Sequence, residues 1–276
     1  MTIHLQRGAS ESPTGSSPKD AALELARFGS AVVRDAWAPD QLRTLRTAIV
    51  GFCDRRAQLV AANAVDPITR QYHEMGTTVL TWLIYEGRIN LEFLSEMFRG
   101  SFFHEVCKEH FGGDQFYMAP DRIGSRNIQP PYSDRAPLPY HQDSVEQDRR
   151  VKRVLNCWIP LDSGAGLTAP GVEVVRNPGR PKFQLRSPDA GANNSLYDAV
   201  AIERTRIIDE YGEDFFAPAL NVGDGFIFSQ DVIHRTYVTP EMTEPRIGFE
   251  FRVFSLDHLV PSASADDLRR TSFPLV

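Results

Sequence analysis

Tyr140-His141-Gln142-Asp143 is the stretch of this sequence that says most about its fold. Successive side chains of a β-strand point to opposite faces, so a strand here would place His141 and Asp143 on one side and Gln142 on the other. Two imidazoles and one carboxylate form the ligand set that holds Fe(II) on one octahedral face and leaves three positions open. The second imidazole must come from another strand, and His234, 234 − 141 = 93 positions further on, is the candidate. The pattern predicts a metal site.

The sequence that follows Arg246 alternates in the manner of a half-buried strand. From Arg246 to Val253 every odd position is apolar and every even position is polar or Gly, so one face packs on a core and the other is wet or functional. Arg246 lies on the polar face, 246 − 234 = 12 positions after the second histidine, and its guanidinium is placed to bind a carboxylate in a bidentate manner. Arg252 shares that face and is the rival for this role. On spacing we prefer Arg246, and we expect Arg252 to pair with Glu250 or another acid.

Three further segments have the alternation and the flanking turn residues of β-strands. They are residues 225–234, 154–160 and 125–129. The first is expected to carry His234 at its far end, with Thr236 two residues further on the same side. In the second, Asn156 and Trp158 share a face.

Several of these segments, taken in order, resemble a known family. They are Tyr140-His141-Gln142-Asp143, then Leu155-Asn156-Cys157-Trp158-Ile159-Pro160-Leu161-Asp162, and then Gly223-Asp224, His234-Arg235-Thr236 and Pro245-Arg246. Together they resemble the phytanoyl-CoA dioxygenase family of Fe(II)/2-oxoglutarate-dependent oxygenases, over roughly residues 28–254. The resemblance implies a mainly β fold with flanking helices around a double-stranded β-helix core, a cupin-like jelly-roll of two facing sheets.

The resemblance also implies a set of site residues. By similarity, His141, Asp143 and His234 would bind the iron, and Arg246 with Thr236 would hold the distal carboxylate of 2-oxoglutarate. The residues that would line the same pocket are Trp158, Gln129 and Ser125.

The activity that the resemblance implies is an oxidation by O₂. Fe(II) and the co-substrate 2-oxoglutarate would drive hydroxylation of an unactivated C–H bond in a small molecule, with release of succinate and CO₂. The substrate classes are secondary metabolites, sugars, amino acids and acyl derivatives. Epimerisation, cyclisation and desaturation use the same ligands and stay open, as do a non-catalytic metal-binding jelly-roll protein and a metal-dependent hydrolase or isomerase.

Composition is that of a globular protein and argues against two classes of partner. The chain has 276 residues, 42% of them hydrophobic, which is enough for one domain with a sizeable core. A net charge of −6 gives no support for nucleic-acid binding, and no apolar run reaches the ~18–20 residues that cross a bilayer. Three scattered cysteines and the lack of a secretory segment near Met1 indicate free thiols in a reducing cytoplasm. The expected partner is a small-molecule substrate, and the oligomeric state is left open.

Along the chain, the sequence predicts a flexible tail over residues 1–17 and a single oxygenase domain over 18–276. Its helical part covers about 18–112 and its jelly-roll core about 113–256. Helices are expected at 19–28, from Pro39 onward, in two pieces between 89 and 111, and at about 196–211. Residues 163–194 form a long polar connection that we expect to help grip the substrate. The candidate rim residues are Trp82, Tyr85, Arg122 and Arg126.

Overall fold

The computed structural model describes residues 17–65, 70, 77–79, 91–118, 123–130, 137–143, 151–176, 202–261 and 263–275. Its helices are α1 Pro18–Phe28, α2 Pro39–Ala61, α3 Leu91–Arg99, α4 Phe102–Phe111, α5 Arg204–Tyr211 and α6 Ala265–Thr271, with a 3₁₀ turn at Leu256–His258. Its strands are β1 Ser30–Val33, β2 Thr77–Val79, β3 Tyr117–Met118, β4 Gly124–Ile128, β5 Val154–Pro160, β6 Gly171–Val175, β7 Phe215–Phe216, β8 Gly225–Ser229, β9 His234–Tyr237, β10 Arg246–Phe254 and β11 Phe273–Pro274. Residues 1–16 and the rim candidates Trp82, Tyr85 and Arg122 lie outside the described residues.

The helix ends are set by local hydrogen bonds. Ser17 and Asp20 form a reciprocal capping box at the start of α1, and Gly29, with φ 75°, ends that helix in the left-handed conformation that glycine tolerates best. The predicted division of the helical stretch between residues 89 and 111 into two pieces is confirmed, because α3 ends at Arg99 and the Ser101 side chain caps α4. These caps fix where the helices stop against the sheet.

Two antiparallel sheets make up the β part of the described chain. The large sheet has eight strands, with β1-β8-β5-β10-β3-β11 along its path and β4 pairing with both β10 and β2. The small sheet is β7-β6-β9. One further backbone bridge joins His141 to His234, so the segment that carries His141 runs beside β9.

The large sheet is buried on both faces. Its outer face packs against the N-terminal helices, and its inner face packs against the small sheet. The outer-face core residues are Ala31, Val33, Leu155, Cys157, Ile159, Ile227, Ile247, Phe249, Phe251 and Val253. The inner-face core residues are Val32, Trp158, Phe226 and Phe228, which meet Val172 and Val174 of β6. The alternation predicted for β10 is therefore confirmed: its odd positions are core, and its even positions face the inner side.

His234 does not end the strand on which the sequence places it. β8 stops at Ser229, where Val232 N–H donates to the Ser229 carbonyl at 3.0 Å and Asp231 N–H donates to its hydroxyl at 3.3 Å. The chain turns there and crosses to the small sheet, in which His234 begins β9. The signal for this turn was Ser229-Gln230-Asp231, because Ser and Asp favour turns. The strand prediction ran through these residues because neither Gly nor Pro marks the turn.

Two other predictions need correction. The connection over residues 163–194 contains β6, whose five residues are all buried and pair with β9 and β7. Gly and Pro around this short strand mask its pattern. The helix expected from about residue 196 starts at Arg204 in the described part, and residues 177–201 lie outside it.

The described helices include none that is both long and apolar enough to cross a bilayer. Cys53, Cys107 and Cys157 are thiols that form no disulfide among the described residues.

Candidate metal centre

The three predicted ligands converge on one point between the sheets. His141, Asp143 and His234 each offer a ligand atom within 4.8 Å of the others, and all three side chains are buried. Nε2 of each histidine is 3.8 Å from an oxygen of Asp143, and the two imidazole centroids are 4.2 Å apart. Two neutral imidazole nitrogens and one carboxylate oxygen are a donor set suited to Fe(II).

Backbone pairing brings the two histidines together. The backbone N–H of each donates to the carbonyl of the other at 2.9 Å, which makes a single antiparallel bridge. Asp143 lies just past this bridge, outside any strand. The predicted placement of His141 and Asp143 on one strand is therefore wrong, although both side chains reach the same site.

Each histidine is held in one orientation by its other ring nitrogen. His141 Nδ1 lies 2.8 Å from the carbonyl of Pro139, and His234 Nδ1 lies 3.0 Å from that of Val232. A carbonyl only accepts, so both Nδ1 atoms carry the proton and both Nε2 lone pairs face the site. Burial, and then the neighbouring histidine, lowers the pKa of His141 to about 4; burial also lowers the pKa of His234. Both rings are therefore neutral ligands at neutral pH.

Asp143 is surrounded by hydrogen-bond donors. Asn156 Nδ2 donates to Asp143 Oδ2 at 2.6 Å, and Arg252 Nη2 is 3.2 Å from the same oxygen. Burial alone would raise the pKa of Asp143, but the charge of Arg252, followed by those of His234 and His141 once they are protonated at low pH, holds it well below its usual range. Arg252 thus pairs with an acid, as expected, and that acid is Asp143, one of the three predicted metal ligands. Sequence reasoning missed the contact of Asn156, although it had placed Asn156 beside Trp158 on one face.

Arg246 lies further along the inner face. Its side chain is 1% exposed, its Nη1 donates to the carbonyl of Gly171 at 3.1 Å, and its guanidinium carbon is 5.1 Å from the Trp158 ring centroid. Gly248 makes room for this arrangement, because a Cβ there would lie 2.9 Å from the indole nitrogen of Trp158. Thr236 is buried and pairs with Val172, next to Gly171.

The pairing of β5 with β10 places Asn156, Trp158 and Arg246 one after another across the site. Asn156 contacts Asp143, and Trp158, two residues along β5 and about 6–7 Å away, lies beside Arg246. The predicted metal ligands thus lie at one end of a short row of side chains, Asn156 and then Trp158, and the Arg246 guanidinium lies at the other end.

Ser125 and Gln129 do not lie in this row of side chains. Ser125 pairs directly with Phe249, so its side chain shares the outer face with that core residue, and its hydroxyl donates to the Gly248 carbonyl at 2.8 Å. Gln129 is exposed and donates to Asn127 Oδ1 at 2.5 Å. The rim candidate Arg126 pairs with Gly248 instead, on the inner face, and it is buried. Its charge helps to lower the pKa of both ligand histidines.

Comparisons with known proteins give structural matches. No protein-family model and no curated protein matches the chain. Among solved structures, AviO1 from Streptomyces viridochromogenes Tue57 has a TM-score of 0.58 at 13% identity, covering 91% of this chain and 99% of its own.

Two further structures carry bound groups. The epimerase SnoN, in complex with Fe³⁺, α-ketoglutarate and nogalamycin RO, has a TM-score of 0.56 at 14% identity, with 94% of this chain and 98% of its own covered. EctD from S. alaskensis, with 2-oxoglutarate and 5-hydroxyectoine, has a TM-score of 0.56 at 14% identity, with 92% and 82% covered. The chain therefore has the fold of enzymes that bind iron and 2-oxoglutarate.

Proposed function

We propose that this chain is a non-haem Fe(II)/2-oxoglutarate-dependent oxygenase that hydroxylates a C–H bond of a small molecule. The observation that carries the proposal is the buried cluster of His141, Asp143 and His234, with both Nε2 lone pairs directed at one point. We also propose that the two facing sheets form a double-stranded β-helix, as the resemblance implies, and that they belong to a single domain over residues 18–276.

The proposed roles lie at two ends of the site, iron binding at one end and 2-oxoglutarate binding at the other. His141, Asp143 and His234 would hold the iron on one side and leave the other side open. Arg246 would bind the distal carboxylate of 2-oxoglutarate in a bidentate manner, with Trp158 and Thr236 beside it. Fe(II) and 2-oxoglutarate, when bound, supply the oxidative chemistry with O₂, releasing succinate and CO₂. The ligand side chains are buried, so the surrounding protein would limit the access of bulk water to the metal.

Hydroxylation is the outcome that we favour, and epimerisation, cyclisation or desaturation would use the same residues. Two structures with this fold illustrate the range, since SnoN is described as an epimerase and the EctD structure holds a hydroxylated compound. A small-molecule substrate is proposed on the same basis. Analysis of the product, once a substrate is found, distinguishes these outcomes.

An anaerobic titration tests the cofactor assignment. Fe(II) followed by 2-oxoglutarate should give a weak visible metal-to-ligand charge-transfer band, because this band arises only when the keto acid chelates the iron. His234→Ala should lose the band, whereas His110→Gln, which alters a histidine of α4 outside the cluster, should keep it. A chain that binds Fe(II) tightly but gives no band would instead be a metal-binding protein or a hydrolase.

A further inference from the structure

Two side chains outside the ligand set share one oxygen of Asp143. Asn156 Nδ2 donates to Oδ2 at 2.6 Å and Arg252 Nη2 is 3.2 Å from it. The two donors are also joined to each other, because Arg252 Nε donates to Asn156 Oδ1 at 2.9 Å. The three side chains thus form a closed triangle in which every contact has hydrogen-bond length.

The triangle is built into the large sheet. Asn156 and Arg252 are directly paired residues of β5 and β10, so their side chains leave the sheet on the same face. Asn156 is 5% exposed, and the Arg252 side chain is 19% exposed. Neighbouring strands therefore fix both donors before any metal binds, and Asp143 comes to them from a segment outside the sheet.

Lone-pair counting shows what this does to the carboxylate. Each carboxylate oxygen has about two acceptor positions. On Asp143 Oδ2, these positions are used by the Asn156 amide and the Arg252 guanidinium. Oδ1 lies 3.8 Å from His141 Nε2 and Oδ2 lies 3.8 Å from His234 Nε2, so distance does not distinguish the two oxygens. The donors do, because both of them use Oδ2, and Oδ1 remains for a metal.

We propose that Asn156 and Arg252 are positioning residues that make Asp143 bind the iron through Oδ1 alone. A carboxylate that bound through both oxygens would occupy one of the three positions that the co-substrate and O₂ need. The donor pair on Oδ2 prevents this. The inference rests on the proposed function, since it concerns the same metal, and it gives Arg252 a role distinct from that of Arg246.

Fe(II) and 2-oxoglutarate affinities of four variants test the assignment. Asn156→Ala, Arg252→Gln and Arg252→Lys each remove part of the triangle, and Arg46→Gln is the matched control because it breaks an Arg–Asp pair, with Asp162 at 2.8 Å, away from the site. The measurements are Fe(II) affinity by chelator competition, 2-oxoglutarate affinity at saturating Fe(II), and the melting temperature of the metal-free protein.

Asn156→Ala and Arg252→Gln should each weaken Fe(II) binding about tenfold or more, as is usual when a hydrogen-bond partner of a metal ligand is lost. Both should also weaken 2-oxoglutarate binding, because a freed Oδ2 competes for its position. Arg252→Lys should recover part of the Fe(II) affinity, since an ammonium restores the charge but cannot bond Asn156 and Asp143 in the fork geometry of a guanidinium. Arg46→Gln should leave both affinities unchanged.

A merely structural role predicts a different result. The melting temperature of the metal-free variants would fall, while both dissociation constants stayed within twofold of those of the wild type, and that result would overturn the proposal. If the wild type bound Fe(II) but gave no charge-transfer band with 2-oxoglutarate, the proposed function would fail. The Fe(II) affinities of the variants would then still decide the positioning roles.

Discussion

At the scale of single residues, a variant of Arg246 tests the proposed co-substrate site without changing the metal ligands. Replacing it with Gln removes a charge-assisted bidentate contact to a buried carboxylate, which costs about 2–5 kcal/mol. We therefore expect the dissociation constant of 2-oxoglutarate to rise by roughly 30-fold or more, with Fe(II) affinity unchanged. Titration of 2-oxoglutarate into the Fe(II) protein measures this. Arg252→Gln should raise that constant less, and the opposite ranking would show that Arg252 is the clamp.

A second residue-scale prediction concerns acid stability of the metal-free protein. Burial lowers the pKa of His141 from 6.5 to about 4, so between these values the unfolded chain binds the proton and the folded chain does not. Stability should therefore be lost as the pH falls from about 6.5 to 4, and each such histidine contributes a slope of up to about 1.4 kcal/mol per pH unit.

Thermal melting of the protein in the presence of a chelator, measured across that pH range, checks the direction of this pH dependence. His141→Gln should flatten the dependence and abolish iron binding. His110→Gln should also flatten it, because burial, helped by Arg153 and His258, lowers the pKa of His110 to about 4 as well, but iron binding should remain. If stability depended on pH as steeply in both variants as in the wild type, folding would not lower the pKa values of these two histidines.

At the scale of elements, the two histidine-bearing segments are also joined on the side away from the metal. Glu173 of β6 accepts hydrogen bonds from Tyr140, which precedes His141, and from Arg235 Nε at 2.6 Å, which follows His234. The Arg235 guanidinium carbon lies 4.7 Å from the Tyr140 ring centroid. Burial and the Glu173 carboxylate raise the pKa of Tyr140, so the phenol stays a donor.

Glu173→Gln should lower the free energy of unfolding by about 1–2 kcal/mol, discounted because the Arg235 side chain is 30% exposed. Its control is Glu210→Gln, which breaks an exposed pair with Arg206 within α5 and should cost about 0.5 kcal/mol or less. Chemical denaturation of the metal-free variants gives both values. Equal small losses would show that the Glu173 contacts do not hold β6 against its neighbours.

Strand parity could be predicted from the sequence, but strand ends and pairing could not. Alternation identified the core face of β10, because a two-residue period is local. The ligands were identified by residue type and order along the chain, since Asp143 lies outside any strand. Ends are signalled more weakly: β8 stops at Ser229 through local hydrogen bonds of a Ser-Gln-Asp turn that contains neither Gly nor Pro. Arg252 meets Asp143 only because β10 pairs with β5 in one register. For the same reason the side of β4 that carries Ser125 could not be assigned from alternation alone.

At the scale of the whole molecule, the helices and the proposed metal centre lie on opposite faces of the large sheet. The N-terminal helices cover the outer face, and the cluster lies on the inner side, where Asn156 and Arg252 reach it. A defect on the outer face should therefore affect folding more than chemistry, provided that the sheet itself survives.

Gly225 offers the clearest test of that separation. It lies in β8 against α4, and a Cβ there would overlap the ring of Phe103, which is fully buried and packs 5.1 Å from Trp37 between ring centroids. Gly225→Ala should destabilise the protein by about 1–3 kcal/mol through overpacking. Gly51→Ala is the control, because that glycine lies within α2 with no atom near its added Cβ, and it should stabilise by about 0.5–1 kcal/mol. Thermal melting and Fe(II) titration should show a lower melting temperature with unchanged iron affinity for Gly225→Ala. A comparable loss of iron affinity would instead mean that the helix layer and the metal centre are mechanically coupled through β8.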